Sequence, residues 1–254
     1  MVARFPFRNF APVLALTAML LSAGSASAAS QYILLSVEPQ NKELAPGKVF
    51  NPGDTLTVPD GVTVTLLGED GSVSPVAGPA SVKITADGQP AADEKERRTA
   101  MEKIAGLLAG KGGEASTLGV ARAFGVTRSA GGGDPWAAPT DRDGHVCQRG
   151  SRILLARGQS QTAATLSAKG LAGEAKELFW PAGKGFLSLP GGFRVGDGEL
   201  EIRIGGDKPT LLMVHALPGA ISENDPVAVL GWMAAQKCNV QALAFAQELA
   251  AKAK

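Results

Sequence analysis

Few residues in this chain are equipped for chemistry. There are two cysteines, Cys147 and Cys238, and two histidines, His145 and His215. Redox-active pairs favour Cys-x-x-Cys spacing, which these cysteines lack, so in an oxidising compartment they read as a disulfide. The alternative is two separate buried thiols. His145 beside Cys147 resembles an imidazole–thiolate arrangement, but a bridged sulfur is not a nucleophile. A zinc centre needs three or four suitably spaced ligands, so no metal site and no cofactor are expected here. Carboxylates brought together by a fold can hydrolyse glycosides. Glu69 with Asp70 and Asp197 with Glu199 are the candidates, and their turn positions read as solvated hairpin residues. No Gly-x-Ser-x-Gly nucleophile elbow occurs, and Ser167-Ala168-Lys169 misses the Ser-x-x-Lys spacing. Gly131-Gly132-Gly133 is followed by Asp134-Pro135-Trp136 rather than Lys-Ser/Thr, which argues for a linker over a phosphate cradle. These patterns assign no catalytic residue.

The elements around these residues read as mainly β with a few helices. Two small antiparallel β units, sandwich-like or meander, are expected, with helices at the C-terminus. Val62, Val64 and Leu66 alternate with Thr63, Thr65 and Leu67, the period of a strand with one buried face. Glu69-Asp70-Gly71 turns the chain into Ser72–Val76, and Gly78-Pro79 turns it into Ser81–Thr85. Asp54–Val58 is a further short strand. No crossover helix fits between these runs, so a meander is expected.

A helix follows, with Asp93 as its cap and Asp93–Arg97 and Glu94–Arg98 as i,i+4 pairs. Its apolar stripe is Met101, Ile104, Ala105 and Leu108, and it is expected to pack on its own protein. Ser116–Phe124 reads as a second short helix. Between the cysteines, Arg152–Ala156, Thr162–Ala168, Leu178–Trp180, Gly185–Leu189, Glu199–Ile204 and Thr210–Ala216 read as strands of a second antiparallel unit. Asn224-Asp225-Pro226 caps a helix over Val227–Gln236. Val240–Ala251 is another, with Leu243, Phe245 and Leu249 facing inward. Trp180 and Trp232 read as core residues. Trp136, beside the glycine run, is a candidate for stacking a sugar or anchoring a partner.

The strand before Pro59-Asp60-Gly61, the run Val62–Leu67, the Glu69-Asp70-Gly71 hairpin and the Gly78-Pro79 turn together resemble the β domain of FecR-type proteins. The resemblance spans roughly residues 31–87, about a quarter of the chain. It implies periplasmic sensing or scaffolding of the kind best known from iron-uptake signalling. Those regulators carry a cytoplasmic segment and a membrane span ahead of the β domain. Here ten residues precede the short apolar run Ala11–Leu21, so transmembrane signalling to a sigma factor is not expected.

The N-terminus reads as an export signal. Arg4 and Arg8 precede the apolar run Ala11–Leu21, and Ala26-Ser27-Ala28 is a small-x-small cleavage site. Cleavage near Ala28 leaves 23 basic against 24 acidic residues, a net charge of −1. That balance lacks the basic footprint of a nucleic-acid partner, and no transmembrane helix is expected in the mature chain. The resulting division is a signal peptide over 1–28, a FecR-like β domain over 31–88, a helix and glycine-rich linker over 89–135, and a disulfide-linked β unit with C-terminal helices over 136–254. The function this implies is a non-enzymatic periplasmic protein that binds or scaffolds an envelope protein or glycan. A hydrolase of envelope polymers using an Asp/Glu pair is the alternative.

Overall fold

The computed structural model describes residues 31–85, 94–110, 133–158, 160–170, 173, 175–190 and 197–254. The export signal, Asp93, the Ser116–Phe124 helix and most of the glycine linker lie outside the described residues. The fold is mainly β, and the described residues form strands in four sheets and three helices.

The run Tyr32-Ile33-Leu34-Leu35 begins β1 (Tyr32–Glu38), a strand that alternation alone does not reveal because both its faces are buried. It pairs with β2 (Val49–Phe50) and β4 (Thr63–Gly68), and β4 pairs with β5 (Val73–Ala77), giving the order β2-β1-β4-β5. The β4–β5 hairpin turns where expected. Asp70 Oδ1 accepts from the Ser72 amide and hydroxyl, and Gly71 adopts φ +89°. The simple meander fails at the next turn. β6 (Ala80–Lys83) pairs with β3 (Thr55–Val58) in a separate two-stranded sheet rather than with β5. Folding this pair over the larger sheet lets Leu56 and Val58 meet Leu34, Val64 and Leu66 in one apolar layer. The expected row Val62, Val64, Leu66 is buried in that layer, yet Thr65 and Leu67 on the other face are buried too.

Three helices cover that second face. They are α1 (Glu94–Leu108), α2 (Pro226–Ala235) and α3 (Asn239–Lys252). Ile33, Leu35 and Leu67 join Met101, Ile104, Leu107, Val229, Leu230, Met233 and Ala242 in one core. Residues on both sides of the 89–135 segment therefore share this core. α2 is apolar nearly all round, as befits a helix enclosed by neighbours. Asp225 caps it as expected, accepting from the Val227 and Ala228 amides, with Pro226 beginning the helix. Arg97 pairs with Asp225 at 2.6 Å and donates through Nε to the Glu69 carbonyl, so it ties α1 to α2 and to the β4–β5 turn. In α3 the inward residues are Gln241, Ala242, Ala246 and Ala250, while Leu243, Phe245 and Leu249 are half-buried at the edges. Small residues face inward there because the helix lies close against its neighbours.

The second β unit is mixed rather than wholly antiparallel. β8 (Gly144–Gln148) runs parallel to β14 (Thr210–Ala216), and β7 (Ala138–Pro139) runs parallel to β9 (Leu154–Ala156). The larger sheet has the order β11-β10-β13-β14-β8, where β10 is Ala164–Lys169, β11 Ala175–Trp180 and β13 Gly198–Ile204. The smaller has β12 (Phe186–Ser188) beside β9. The turn at Pro181-Ala182-Gly183 thus carries the chain from one sheet to the other instead of closing a hairpin. Trp180, Leu155, Leu166, Leu200, Ile202 and Leu212 fill the space between the sheets.

Cys147 on β8 is disulfide-bonded to Cys238 at the start of α3, with Cα atoms 5.8 Å apart. Closing so long a loop stabilises by about 4–5 kcal/mol in the chain-entropy account. Beside the bridge, buried Gln241 accepts from the Cys147 amide at 2.6 Å and donates to the carbonyls of Cys147 and Trp136 at 2.9 and 2.8 Å. Replacing Gln241 by Leu strands one buried N–H and two buried carbonyls, and is expected to cost about 3 kcal/mol in denaturant unfolding of the oxidised protein. Gly231 sits where an added Cβ would lie 2.5 Å from the Ala100 Cβ. Gly231→Ala is therefore expected to cost about 1–3 kcal/mol by forcing α1 and α2 apart.

Candidate functional site

The disulfide and its surroundings build the most site-like concavity. After Gly133, Asp134 Oδ1 accepts from the Trp136 amide and sets a tight turn. The indole of Trp136 then lies 6.4 Å from Trp232 and 6.3 Å from Phe245, measured between ring centroids. It is buried, so it is a core residue like Trp180 and Trp232. β8 directs Cys147 toward the helices and Val146 and Gln148 toward the second β unit. Between them opens a cavity of ≈ 190 Å³, walled by Trp136, Val146 and Ile153.

Polar groups converge on this cavity from two levels. At its wall, Gln148 is 3% exposed. Its Nε2 donates to the Gly150 carbonyl at 2.9 Å, which fixes the amide's orientation, while its Oε1 is buried without a hydrogen-bond partner. Arg149 and Arg152 also line it and are solvent-exposed. Arg149 lies over the Trp136 ring at 5.6 Å and approaches Asp134 at 3.4 Å. No ion pair engages Arg152 among the described residues. The cavity has apolar walls and two exposed arginines along it, while the Gln148 oxygen is sealed from solvent. The one sulfur at the cavity, that of Cys147, is bridged, so it offers no thiolate there.

The two histidines, placed apart by sequence, come together. β8 and β14 run side by side, so His145 Nδ1 and His215 Nε2 lie 2.9 Å apart. The ring centroids are 5.2 Å apart and the planes differ by 12°. Only rings meeting edge to edge in nearly one plane satisfy both distances, so this is an in-line N–H···N hydrogen bond. It uses one nitrogen of each ring. No group of three or more His, Cys, Asp or Glu side chains suited to a metal ion occurs among the described residues. Burial, followed by the neighbouring His145, lowers the pKa of His215 below its ordinary 6.5, and Asp197 partly opposes this.

The carboxylate candidates separate into structural roles. Glu69 is not a solvated hairpin residue. It is 7% exposed, its Oε2 accepts from the Gln31 amide, and its Oε1 is buried without a partner. The chain's return to β1 covers it, a long-range event that the Glu-Asp-Gly turn gives no hint of. Asp70 is exposed and serves the turn, as expected. Asp197 accepts from the Ala216 amide at 2.9 Å, and exposed Glu199 faces Met213 across the strand pair. Neither pair lines the cavity. Gln148, Arg152 and Gln241 were not singled out by sequence, because no motif marks a side chain whose role comes only from parallel β8–β14 pairing and helix docking. Against protein-family models, curated proteins and solved structures, the chain matches nothing.

The His215 shift has a definite sign. With its folded pKa below 6.5, the unfolded chain takes up a proton first as pH falls. Stability is full above pH 6.5 and declines as pH drops from there toward the folded pKa. Denaturant melts across this range should show that slope, and His215→Gln should flatten it.

Proposed function

We propose that this is a non-enzymatic periplasmic binding or scaffolding protein, with a FecR-like N-terminal β unit, that contacts another envelope protein or glycan. The observation that carries this reading is the outer face of the five-stranded sheet. Leu166, Leu200, Ile202, Leu212 and Val214 point into the second β unit, so their neighbours in each strand point outward. On that outward face Phe179 is 69% exposed and Leu211 and Met213 are each 38% exposed. Glu177, Glu199, Glu201 and Arg203 stand among them. Phe179 on edge strand β11 is separated from Leu211 and Met213 on β14 by β10 and by the charged side chains of β13, so these are separate apolar anchors on one face, and an open Phe ring suits a sugar face or an apolar partner side chain. The disulfide agrees with an oxidising compartment. No helix among the described residues is long and apolar enough to cross a membrane.

The test is photocrosslinking in cells from a benzophenone amino acid placed at Phe179 or Met213, compared with one at exposed Lys83 on the other β unit. Discrete adducts at 179 and 213 but not at 83, from a protein processed near Ala28, are expected. Unprocessed cytoplasmic protein, or no adduct and no co-sedimentation with purified cell-wall glycan, would overturn the reading. Release of soluble fragments from that glycan would favour the hydrolase instead.

A further inference from the structure

We propose that His145 and His215, with the thioether of Met213 beside them, form a Cu(I) site on the outer face of the five-stranded sheet. The inference goes beyond the binding function proposed above, because it assigns a metal ion to side chains of that face. Three observations carry it.

The first is the approach of the two imidazoles. Neutral imidazole is the commonest metal ligand among side chains. His145 is exposed and His215 half-buried, so ions in solution reach the pair. His145 Nδ1 and His215 Nε2 face each other at 2.9 Å, and one of them carries the proton of their hydrogen bond. When that proton moves through solvent to the outer nitrogen of its own ring, both facing nitrogens offer lone pairs, and no proton is lost overall. A metal between them needs about 2.0 Å to each nitrogen, so the rings must part by about 1 Å, which exposed His145 can supply by turning.

The second is the thioether. Met213 is the register partner of His145 and lies two residues before His215, on the same face of the sheet. It is 38% exposed, whereas Met101 and Met233 are buried. A thioether is a soft, polarizable ligand that favours Cu(I). The third is what the surroundings select. Zinc takes three or four ligands, and no group of three or more His, Cys, Asp or Glu side chains suited to a metal ion occurs among the described residues. Cu(I) is satisfied by two or three ligands in a linear or trigonal array, and the in-line meeting of the rings suits it. Glu199 stands across from Met213 on β13, and Asp197 acts electrostatically on His215, so carboxylates favour a cation here. Burial, then His145, lowers the His215 pKa, which keeps that ring neutral and able to coordinate at neutral pH.

The probe is Cu(I) itself, kept reduced by ascorbate without oxygen and added to the oxidised full chain in competition with the colour-forming chelator bicinchoninate. Transfer of one Cu(I) per chain is expected, with saturable NMR shifts of the Met213 methyl group and of both imidazole rings. Zn(II), titrated in parallel, should bind at least tenfold more weakly. His145 is exposed, so His145→Gln should keep the amide spectrum of the metal-free fold while weakening Cu(I) at least tenfold. Met213→Leu preserves an apolar side chain on the same strand. It should weaken Cu(I) at least tenfold and leave Zn(II) unchanged, which a merely structural role for Met213 would not do. Failure to take Cu(I) from the chelator, binding insensitive to His145→Gln, Zn(II) bound as tightly as Cu(I), or equal loss of both metals in Met213→Leu would overturn the inference. Those results would leave crosslinking at Phe179 untouched, so the two claims fail separately.

Discussion

α3 must be held against β8, and much else follows from that constraint. α2 is apolar on almost every side and cannot face water, so it requires cover from α1, from the first β sheet and from α3 together. The β8–α3 join is where the second β unit meets this helical layer. A covalent bridge and three hydrogen bonds from one buried amide fix it. The hydrogen bonds are valuable chiefly because the alternative is stranded polar backbone in an apolar surround. On the opposite side of the layer, Arg97 answers the same need by joining α1, the α2 cap and the β4–β5 turn.

The clamp also shapes the surfaces. Fixing Cys147 toward the helices forces its neighbours Val146 and Gln148 the other way, since successive side chains on a strand alternate. Gln148 is thereby turned toward the second β unit, where its oxygen is buried without a donor. The same alternation turns His145 outward beside His215. Beyond the ground α3 covers, the outer face of the sheet stays open, with Phe179, Leu211 and Met213 on it.

Much of this was legible in the sequence because it is local. The Val62–Leu66 row, the Asp-Gly turn, the Asp225-Pro226 helix start and the alternation through Glu199–Ile204 depend on residues close in the chain. The cysteine pair was legible by elimination, with only two present. What could not be read depends on distant partners. Tyr32–Leu35 is a continuous apolar run and so has no period to declare it a strand. β6 left its sequence neighbour for β3, and two strand pairs are parallel, because closing two layers over a core outweighs chain proximity. Glu69, Gln148 and Gln241 are polar residues whose burial is decided by what folds over them. The FecR-like resemblance drew on turn residues that any small β unit needs, and it stands as part of the functional proposal.

The central claim is that a single core, clamped at β8 and α3, joins both β units to the helices. Native-state hydrogen exchange with increasing denaturant tests it directly. The amides of Leu67 in the first sheet, Cys147 in β8 and Ala242 in α3 should converge on one opening free energy, because none can be exposed without breaking the shared core. If Leu67 and its sheet open at a distinctly lower free energy while Cys147 and Ala242 stay protected, the first β unit is independent and the account is wrong.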